Sequence, residues 1–277
     1  MIKLIATDMD GTLLDSKKQL PAELPVILKE LREKEITFAV ASGRSLVTLK
    51  GLFGEMMDDI IFICDNGACI QMPGEKPVYH CLPFEIVHRV LDICKEHPDV
   101  VPVLCSVKNI YYPIQAKEQF RQEINNFYYQ FEMLDYAHLY HVTDPVMKIA
   151  LCDMRNPAKH IYPVLKSLIG EEYELAVSGA LWMDIMCKGV HKGAAIRELQ
   201  EKMGISREET MAFGDYGNDV TMMHEAYYSC AMENAAEEVK KAARFLVPSN
   251  DENGVVRTIC RYTGIDCQQS VDKTEFF

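Results

Sequence analysis

Hydrophobic residues alternate between two patterns along the chain. Short apolar runs of strand-forming residues, as at 2–6, predict buried β-strands, whereas apolar residues spaced three or four apart, as at 22–34, predict amphipathic helices. Asn66-Gly67 is typical of a turn. The first eighty residues are therefore predicted to contain strands at 2–6, 36–41 and 60–64, helices at 22–34 and 45–57, and a short hairpin at Ile70 and 78–79.

The pattern changes after residue 82, where most of the tyrosines of the chain are found. We predict here helices at 84–96, 116–131 and 157–169, and strands at 100–105, 110–112, 146–152 and 173–177. Helices and strands in this order, without strict alternation, are typical of an α+β unit.

The first pattern then resumes. Predicted strands lie at 181–187, 211–213, 228–231 and 245–247, and predicted helices at 192–203, 219–225, 235–243 and 255–262. Ser206 and Glu209 have the spacing of a capping box, and the polar tail at 268–277 is expected to be loosely held. Alternating strands and helices predict an α/β fold with a parallel sheet. We expect a core of residues 1–82 and 184–277, interrupted by an inserted domain of residues 83–183.

Composition limits the class of protein. The 277 residues carry a formal net charge of -12, which argues against nucleic-acid binding because that function needs a basic face. No apolar run approaches the ~18 residues of a membrane span, and no signal peptide is recognised. The ten cysteines include no C-x-x-C pair, so we expect reduced thiols rather than a zinc site, and a cytoplasmic protein without a membrane partner.

Two carboxylates follow the first predicted strand. Asp8 and Asp10 are two residues apart, so on an extended backbone their side chains point the same way. They lie where open α/β sheets bind ligands, at the carboxyl ends of strands. Two neighbouring carboxylates repel each other unless a cation or a shared proton relieves the repulsion. The pair predicts a Mg²⁺-assisted reaction in which one Asp is the nucleophile and the other the acid/base.

Three further strand ends carry polar residues. Ser42-Gly43 precede a helix and could bind a phosphate, or Ser42 could simply cap that helix. Lys192 begins a helix, where the dipole favours an anion near it, although most lysines are surface residues. Asp215 follows an apolar run and could complete a Mg²⁺ site, or the segment could simply be a strand-to-helix turn with Asp219 as the helix cap. Each segment alone fits a structural role, but four such segments at strand ends indicate one active site.

These segments resemble, in order, the four motifs of the haloacid dehalogenase superfamily: D-M-D-G-T-L at 8–13, A-S-G-R at 41–44, K-G-V-H-K-G at 188–193 and G-D-Y-G-N-D at 214–219. N-G-A at 66–68 is similar to the Cof-type sugar-phosphatase branch, and the insertion lies where that branch carries a type IIB cap. The resemblance implies a Rossmann-like three-layer core with a parallel sheet and an inserted α+β cap domain. Asp65, where small or hydroxyl residues are more usual, and Asn253, where Asp is more common, depart from the pattern.

The resemblance also implies roles for individual residues. Asp8 is expected to form an aspartyl-phosphate, and Asp10 to protonate the leaving oxygen and then activate water. Mg²⁺ is expected to be held by Asp8, the Asp10 carbonyl and Asp215, with Asp219 orienting Lys192 or a metal-bound water. The groups implied to bind phosphate are the Met9 backbone N–H, Ser42, the Gly43 amide, Lys192 and Asn218.

The leading hypothesis is a Mg²⁺-dependent phosphatase of small phosphorylated metabolites, either sugar phosphates or phosphorylated cofactors. A phosphomutase on the same scaffold and a sensor of phosphorylated ligands that lacks catalysis are the alternatives. A sensor has no need of an acid/base such as Asp10, which favours an enzyme. The sequence leaves the physiological substrate and the oligomeric state open.

Overall fold

Two separate β-sheets organise the chain in the computed structural model, which describes residues 1–128 and 130–266. The strands of the first sheet are β1 (Leu4–Thr7), β2 (Thr37–Ala41), β3 (Ile60–Cys64), β4 (Cys69–Gln71), β5 (Val78–Tyr79), and, later in the chain, β12 (Thr210–Gly214), β13 (Tyr228–Met232) and β14 (Phe245–Val247). The strands of the second sheet are β6 (Val100–Ser106), β7 (Ile110–Pro113), β8 (Glu132–Leu134), β9 (Val146–Asp153), β10 (Tyr173–Val177) and β11 (Trp182–Cys187).

The first sheet has the order β14-β13-β12-β1-β2-β3-β4-β5. The six strands from β14 to β3 are parallel, and β4 and β5 add an antiparallel hairpin at one edge, so the predicted parallel sheet and hairpin are confirmed. β1 is central and pairs with β12 on one side and β2 on the other. Because the three strands run in the same direction, the segments that follow them meet at one edge.

Helices cover both domains. They are α1 (Leu24–Glu33), α2 (Leu46–Phe53), α3 (Phe84–Glu96), α4 (Glu118–Phe127), α5 (Tyr136–Leu139), α6 (Ile161–Ile169), α7 (Lys192–Met203), α8 (Val220–Glu225), α9 (Glu237–Ala242) and α10 (Gly254–Thr263). α1 buries the face predicted from its spacing, and α7 packs on the core through Ile196 and Leu199. The α/β fold class is confirmed.

The second sheet belongs to the inserted domain, and its order is β10-β11-β9-β6-β7-β8. Residues of α3 and α6 pack on one face, and residues of α4 pack on the other together with Tyr128 and Trp182. Both faces are therefore buried, which explains why all eight residues of β9 are inaccessible. The aromatic face is the one that borders the active-site cavity described below.

One predicted boundary is wrong. The core was predicted to resume at residue 184, within the strand predicted at 181–187. That strand is β11, and it pairs antiparallel with both β9 and β10, so it lies inside the second sheet. Strands join sheets through backbone hydrogen bonds, so an apolar run does not reveal which sheet it enters. The inserted domain therefore continues to Cys187.

Other differences are local. The helix predicted at 116–131 is shorter, because the backbone of Tyr128 is already extended, and it is followed by β8 and α5, which the pattern did not predict. The predicted capping box is confirmed by a hydrogen bond of 3.0 Å from the Ser206 N–H to Glu209 Oε2. Residue 129 of the predicted helix and the polar tail at 268–277 lie outside the described residues.

The cysteines match the prediction in most cases. Eight of those within the described residues are free thiols: Cys64, Cys69, Cys81, Cys94, Cys105, Cys152, Cys187 and Cys230. Cys260 is disulfide-bonded, so the expectation of reduced thiols is wrong for this residue. None of the helices in 1–128 and 130–266 has the length and apolar character needed to cross a membrane.

Candidate active site

A cavity of about 240 Å³ lies between the carboxyl edge of the first sheet and the aromatic face of the inserted domain. The core contributes Asp8, Asp10, Lys18, Ser42, Gly43, Arg44, Asp215, Tyr216 and Asn218 to its wall. The inserted domain contributes Phe127, Tyr128, Lys148, Ser178, Gly179, Trp182 and Asp184. Three of the four sequence segments thus border one cavity, because β1, β2 and β12 are neighbours and end at the same edge.

Asp8 is the buried centre of the site. It follows β1 directly, and its N–H donates to the carbonyl of Phe213 in β12 at 3.0 Å. Lys192, at the start of α7, brings the fourth segment to the site, since its Nζ lies 2.5 Å from Asp8 Oδ1 and 2.7 Å from Asp219 Oδ1. Burial lowers the pKa of Lys192, but the Asp219 and Asp8 carboxylates outweigh it and hold this pKa above its usual range. Lys192 is therefore charged and counters the negative charge around Asp8.

Asp8, Asp215 and Asp219 form a cluster of carboxylates whose oxygens lie within 4.8 Å of one another. Burial, and then repulsion from Asp219, raises the pKa of Asp8 well above its usual range. Burial and the same repulsion raise the pKa of Asp215 to about 6. Lys192 supplies one positive charge against three carboxylates, so the cluster retains excess negative charge. Carboxylate oxygens are the ligands that Mg²⁺ prefers, so these residues fit the predicted ion.

Asp10 lines the same cavity, but its side chain is not part of that cluster. Arg44 holds it with two hydrogen bonds, Nε to Oδ2 at 2.8 Å and Nη2 to Oδ1 at 2.7 Å. Lys18 Nζ adds a third at 2.8 Å. Burial raises the pKa of Asp10, but the bonds from Arg44 and Lys18 outweigh burial and lower it. Its backbone carbonyl as a metal ligand stays a prediction.

The loop after β12 is held by Asp219. Asp219 Oδ2 accepts the N–H groups of Asp215 at 3.0 Å and Tyr216 at 3.1 Å, while Oδ1 accepts Lys192. A Cβ on Gly214 would lie 2.5 Å from the Asp219 Cβ, so this close approach requires glycine. Thr12 Oγ1 also donates to Asp215 Oδ1 at 2.7 Å. These contacts fix the directions of Asp215 and Asp219, and the orienting role expected for Asp219 stays a prediction.

Three of the groups predicted to bind phosphate line the same cavity as Asp8. Ser42 and Gly43 lie at the end of β2 and Asn218 in the loop after β12, and all three line the cavity. Ser42 Oγ accepts the N–H of Arg44 at 3.1 Å. Met9 lies between the two catalytic candidates in sequence, with its side chain buried in the core of the first sheet. Their roles toward phosphate stay predictions.

Sequence reasoning missed several residues of the cavity. Arg44 was part of a recognised segment but was given no role, although an arginine beside a motif serine is a visible signal. Lys148 lies inside an apolar strand, and Asp184 inside another, where a charge is unusual enough to serve as a signal. Lys18 has no such signal, because exposed lysines are common in loops.

Comparisons with known proteins agree with this geometry. The family described as haloacid dehalogenase-like hydrolase matches residues 5–259. A 5-amino-6-(5-phospho-D-ribitylamino)uracil phosphatase of Escherichia coli is 30% identical over 260 residues, which cover 93% of this chain and 95% of that protein. A solved structure of a Streptococcus mutans protein is 30% identical, with a TM-score of 0.90 over 95% of this chain and 100% of that chain.

A second solved structure, described as a HAD subclass IIB sugar phosphatase, is 26% identical with a TM-score of 0.82 and covers 95% of this chain and 100% of its own. The resemblance predicted from the four motifs is thus confirmed, together with the Rossmann-like core and the prediction of a phosphatase. The family match spans both halves of the core and the inserted domain between them, so the chain belongs to the haloacid dehalogenase-like hydrolases.

Proposed function

We propose that this protein is a Mg²⁺-dependent phosphatase that hydrolyses monoesters of small phosphorylated metabolites through a phosphorylated Asp8. The observation that carries the proposal is the placement of Asp8, within a cluster of carboxylates, in the same cavity as Asp10. A nucleophile, a metal-binding group and an acid/base are thus within reach of one bound phosphate.

The chemistry follows from the residues in place. Because the bonds from Arg44 and Lys18 lower the pKa of Asp10, Asp10 first takes up a proton, which the monoanion of a phosphate monoester supplies. An Asp8 carboxylate oxygen attacks phosphorus, and the bond from phosphorus to the ester oxygen breaks as Asp10 gives this proton to that oxygen. Asp10 then takes a proton from water, which attacks the Asp8 phosphate and releases inorganic phosphate. Lys192 favours the ionised form of Asp8 against the burial and repulsion that raise the pKa of Asp8, and Lys192 and Ser42 offer donors to the phosphoryl oxygens as their charge grows.

Asp8 and Asp215 would hold Mg²⁺, together with the Asp10 carbonyl, and Asp219 lies close enough to support them. When bound, Mg²⁺ offsets the repulsion between the Asp8 carboxylate and a phosphate dianion. Burial, and then repulsion from Asp219, raises the pKa values of Asp8 and Asp215 in the protein alone, and a cation held by these carboxylates would offset that repulsion. The cluster therefore has a physical reason to bind a cation before the substrate enters.

The cavity supports a small leaving group. Its wall in the inserted domain combines the aromatic rings of Phe127, Tyr128 and Trp182 with the hydroxyl of Ser178. Rings of this kind pack against a sugar or a planar heterocycle. Both substrate classes occur among the relatives, one described as a sugar phosphatase and one acting on a phosphoribitylamino-uracil. We therefore place the substrate among phosphorylated sugars and phosphorylated small ring compounds.

The test is phosphate release from a panel of phosphorylated sugars, nucleotide-like heterocycles and cofactors, with Mg²⁺ and with EDTA. We expect Mg²⁺-dependent release by the wild type and none by Asp8→Asn, while Asp58→Asn, an exposed carboxylate outside the cavity, behaves as the wild type. Product analysis separates a mutase, which would accumulate an isomeric sugar phosphate instead of inorganic phosphate. A folded, Mg²⁺-loaded wild type that releases nothing from the whole panel would refute the proposal.

A further inference from the structure

Lys148 crosses from the inserted domain to the core. It lies in β9 with only 1% of its surface exposed, and its Nζ donates to the carbonyl of Gly43 at 2.7 Å. Gly43 belongs to the loop after β2 that also carries Ser42. A buried charge from one domain therefore touches the backbone of a loop proposed to bind phosphate in the other domain.

Two buried carboxylates accompany this lysine. Its Nζ lies 3.2 Å from Asp65 Oδ1, in the core, and 3.5 Å from Asp184 Oδ1, in β11 of the inserted domain. Both Asp side chains are at most 3% exposed. Neither oxygen of Asp65 makes a hydrogen bond within the described residues, so its attraction to Lys148 is an ion pair without directed bonding. An ion group of this kind is stable only while all its members stay together.

The same group reaches the second phosphate loop. Asp184 Oδ2 accepts the side-chain amide of Asn66 at 2.6 Å, and Asn66 Oδ1 accepts the amide of Asn218 at 3.0 Å. The Asn66 N–H also donates to the carbonyl of Ser42 at 2.9 Å. A continuous chain of polar contacts thus links Asp184 and Lys148 with both core loops that carry predicted phosphate ligands.

The domain boundary runs through this chain of contacts. Lys148 and Asp184 are on adjacent strands of the second sheet, so they move together with the inserted domain. Gly43, Asp65 and Asn66 belong to the core. Moving the inserted domain away from the core would break the contacts across the boundary and expose these charges to solvent. Removing one charge leaves its partners buried and unpaired, which favours the separated arrangement.

We propose that Lys148 and Asp184 are positioning residues that seat the inserted domain on the core and, in doing so, hold the loops of Ser42–Gly43 and Asn218 in their phosphate-binding geometry. The inference rests on the proposed function, since it takes these loops to bind the phosphate of the substrate. It adds to that function a coupling between domain seating and phosphate affinity. Neither residue takes part in the proton or phosphoryl transfers.

The experiment compares Lys148→Met, Asp184→Asn and the double variant, with Lys166→Met, an exposed lysine of α6, as the matched control. Trp182 is the only tryptophan of the chain and lines the cavity, so its emission follows binding of inorganic phosphate in the presence of Mg²⁺ without any turnover. The midpoint of this titration is measured beside KM and kcat for the best substrate of the panel.

For each single variant we expect phosphate affinity to fall and KM to rise by about tenfold or more, because removing one partner of a buried charge pair leaves the other charge unpaired. We expect kcat to change much less. The double variant is expected to lose no more phosphate affinity than the single variant that binds phosphate more weakly, because the two residues act through one group. Lys148→Arg, which keeps the charge, is expected to regain part of the affinity. Lys166→Met is expected to match the wild type.

Unchanged phosphate affinity in variants with a lowered thermal midpoint would overturn the proposal, because the group would then only stabilise the fold. Independent, additive losses in the double variant would overturn it as well. If the inserted domain does not tolerate these changes, Asn66→Gly removes the link from the core side and suits the positive φ of 57° there, and it is expected to weaken phosphate binding likewise. A wild type that binds phosphate but turns over no substrate refutes the proposed function and not this inference. The phosphate titration still tests the inference, because it needs no turnover.

Discussion

Asp215→Asn is expected to stabilise the metal-free protein while it destroys the metal site. Asp215 lies in a cluster where burial and the Asp219 charge raise its pKa from 3.8 to about 6. Above pH 6 the ionised carboxylate is therefore less favourable in the folded chain than in the unfolded chain. An asparagine has no charge to bury, and its oxygen can still accept the hydrogen bond from Thr12.

The size of the effect follows from that pKa. A rise of about two units is equivalent to about 3 kcal/mol of unfavourable free energy for the ionised carboxylate. For domains of this size each kcal/mol moves the thermal midpoint by about 2–4 °C, so Asp215→Asn is expected to unfold up to roughly 6–12 °C higher in EDTA at pH 8. The raised pKa also sets the pH window. This contribution to wild-type stability is complete below pH 4 and is lost as the pH rises to about 6, a loss that the variant escapes.

Mg²⁺ is expected to reverse the order. At a concentration about 1,000 times the dissociation constant, a bound ion stabilises the wild type by about 4.1 kcal/mol, which exceeds the about 3 kcal/mol that the variant gains from losing its charge. The variant lacks one ligand and gains much less from the ion. The assay is thermal unfolding of both proteins in EDTA and in Mg²⁺ between pH 4 and 8, with the exposed Asp58→Asn as the control. A variant less stable than the wild type in EDTA at pH 8, or equally stabilised by Mg²⁺, would refute the electrostatic reasoning.

Three further changes test other parts of the site. Asp10→Asn is expected to lower kcat on the order of 10²–10⁴-fold for a sugar phosphate, and less for p-nitrophenyl phosphate, whose leaving group needs no proton; equal losses in the two assays would argue against an acid role. Lys192→Met leaves Asp8 and Asp219 without their buried cation, so metal-free unfolding should become easier by about 3–5 kcal/mol, and an unchanged thermal midpoint would contradict this. Arg44→Met removes two of the three bonds that lower the pKa of Asp10, so the alkaline fall of kcat/KM should move to higher pH, whereas an unmoved limb would show that Asp10 is not the acid.

The sequence was sufficient for features that depend on local patterns. Apolar runs specified the central strands, and the spacing in 22–34 specified the buried face of α1. Asp8, Ser42 and Asp215 could be placed at one edge before the structure, because the carboxyl ends of parallel strands share an edge. The motif order also specified the family, since four short segments recur in the same order.

Only the tertiary structure decided which distant groups touch. The contact between Lys192 and Asp8 joins residues 184 positions apart, and nothing local to either residue specifies that distance. The sheet that β11 joins was likewise decided by backbone pairing, which leaves no trace in the side-chain pattern.

Lys148 shows the same limit most clearly. Within β9 its charge interrupts an apolar run, and the sequence alone gives no reason for it. The fold supplies the reason by placing carboxylates from β11 and from the loop after β3 around it, across the boundary between two domains. The sequence by itself determined most of the elements and the chemical groups at their ends, because these depend on neighbours along the chain. The pairing of charges was decided by packing, because electrostatic energy depends on distances in space rather than on positions in the chain.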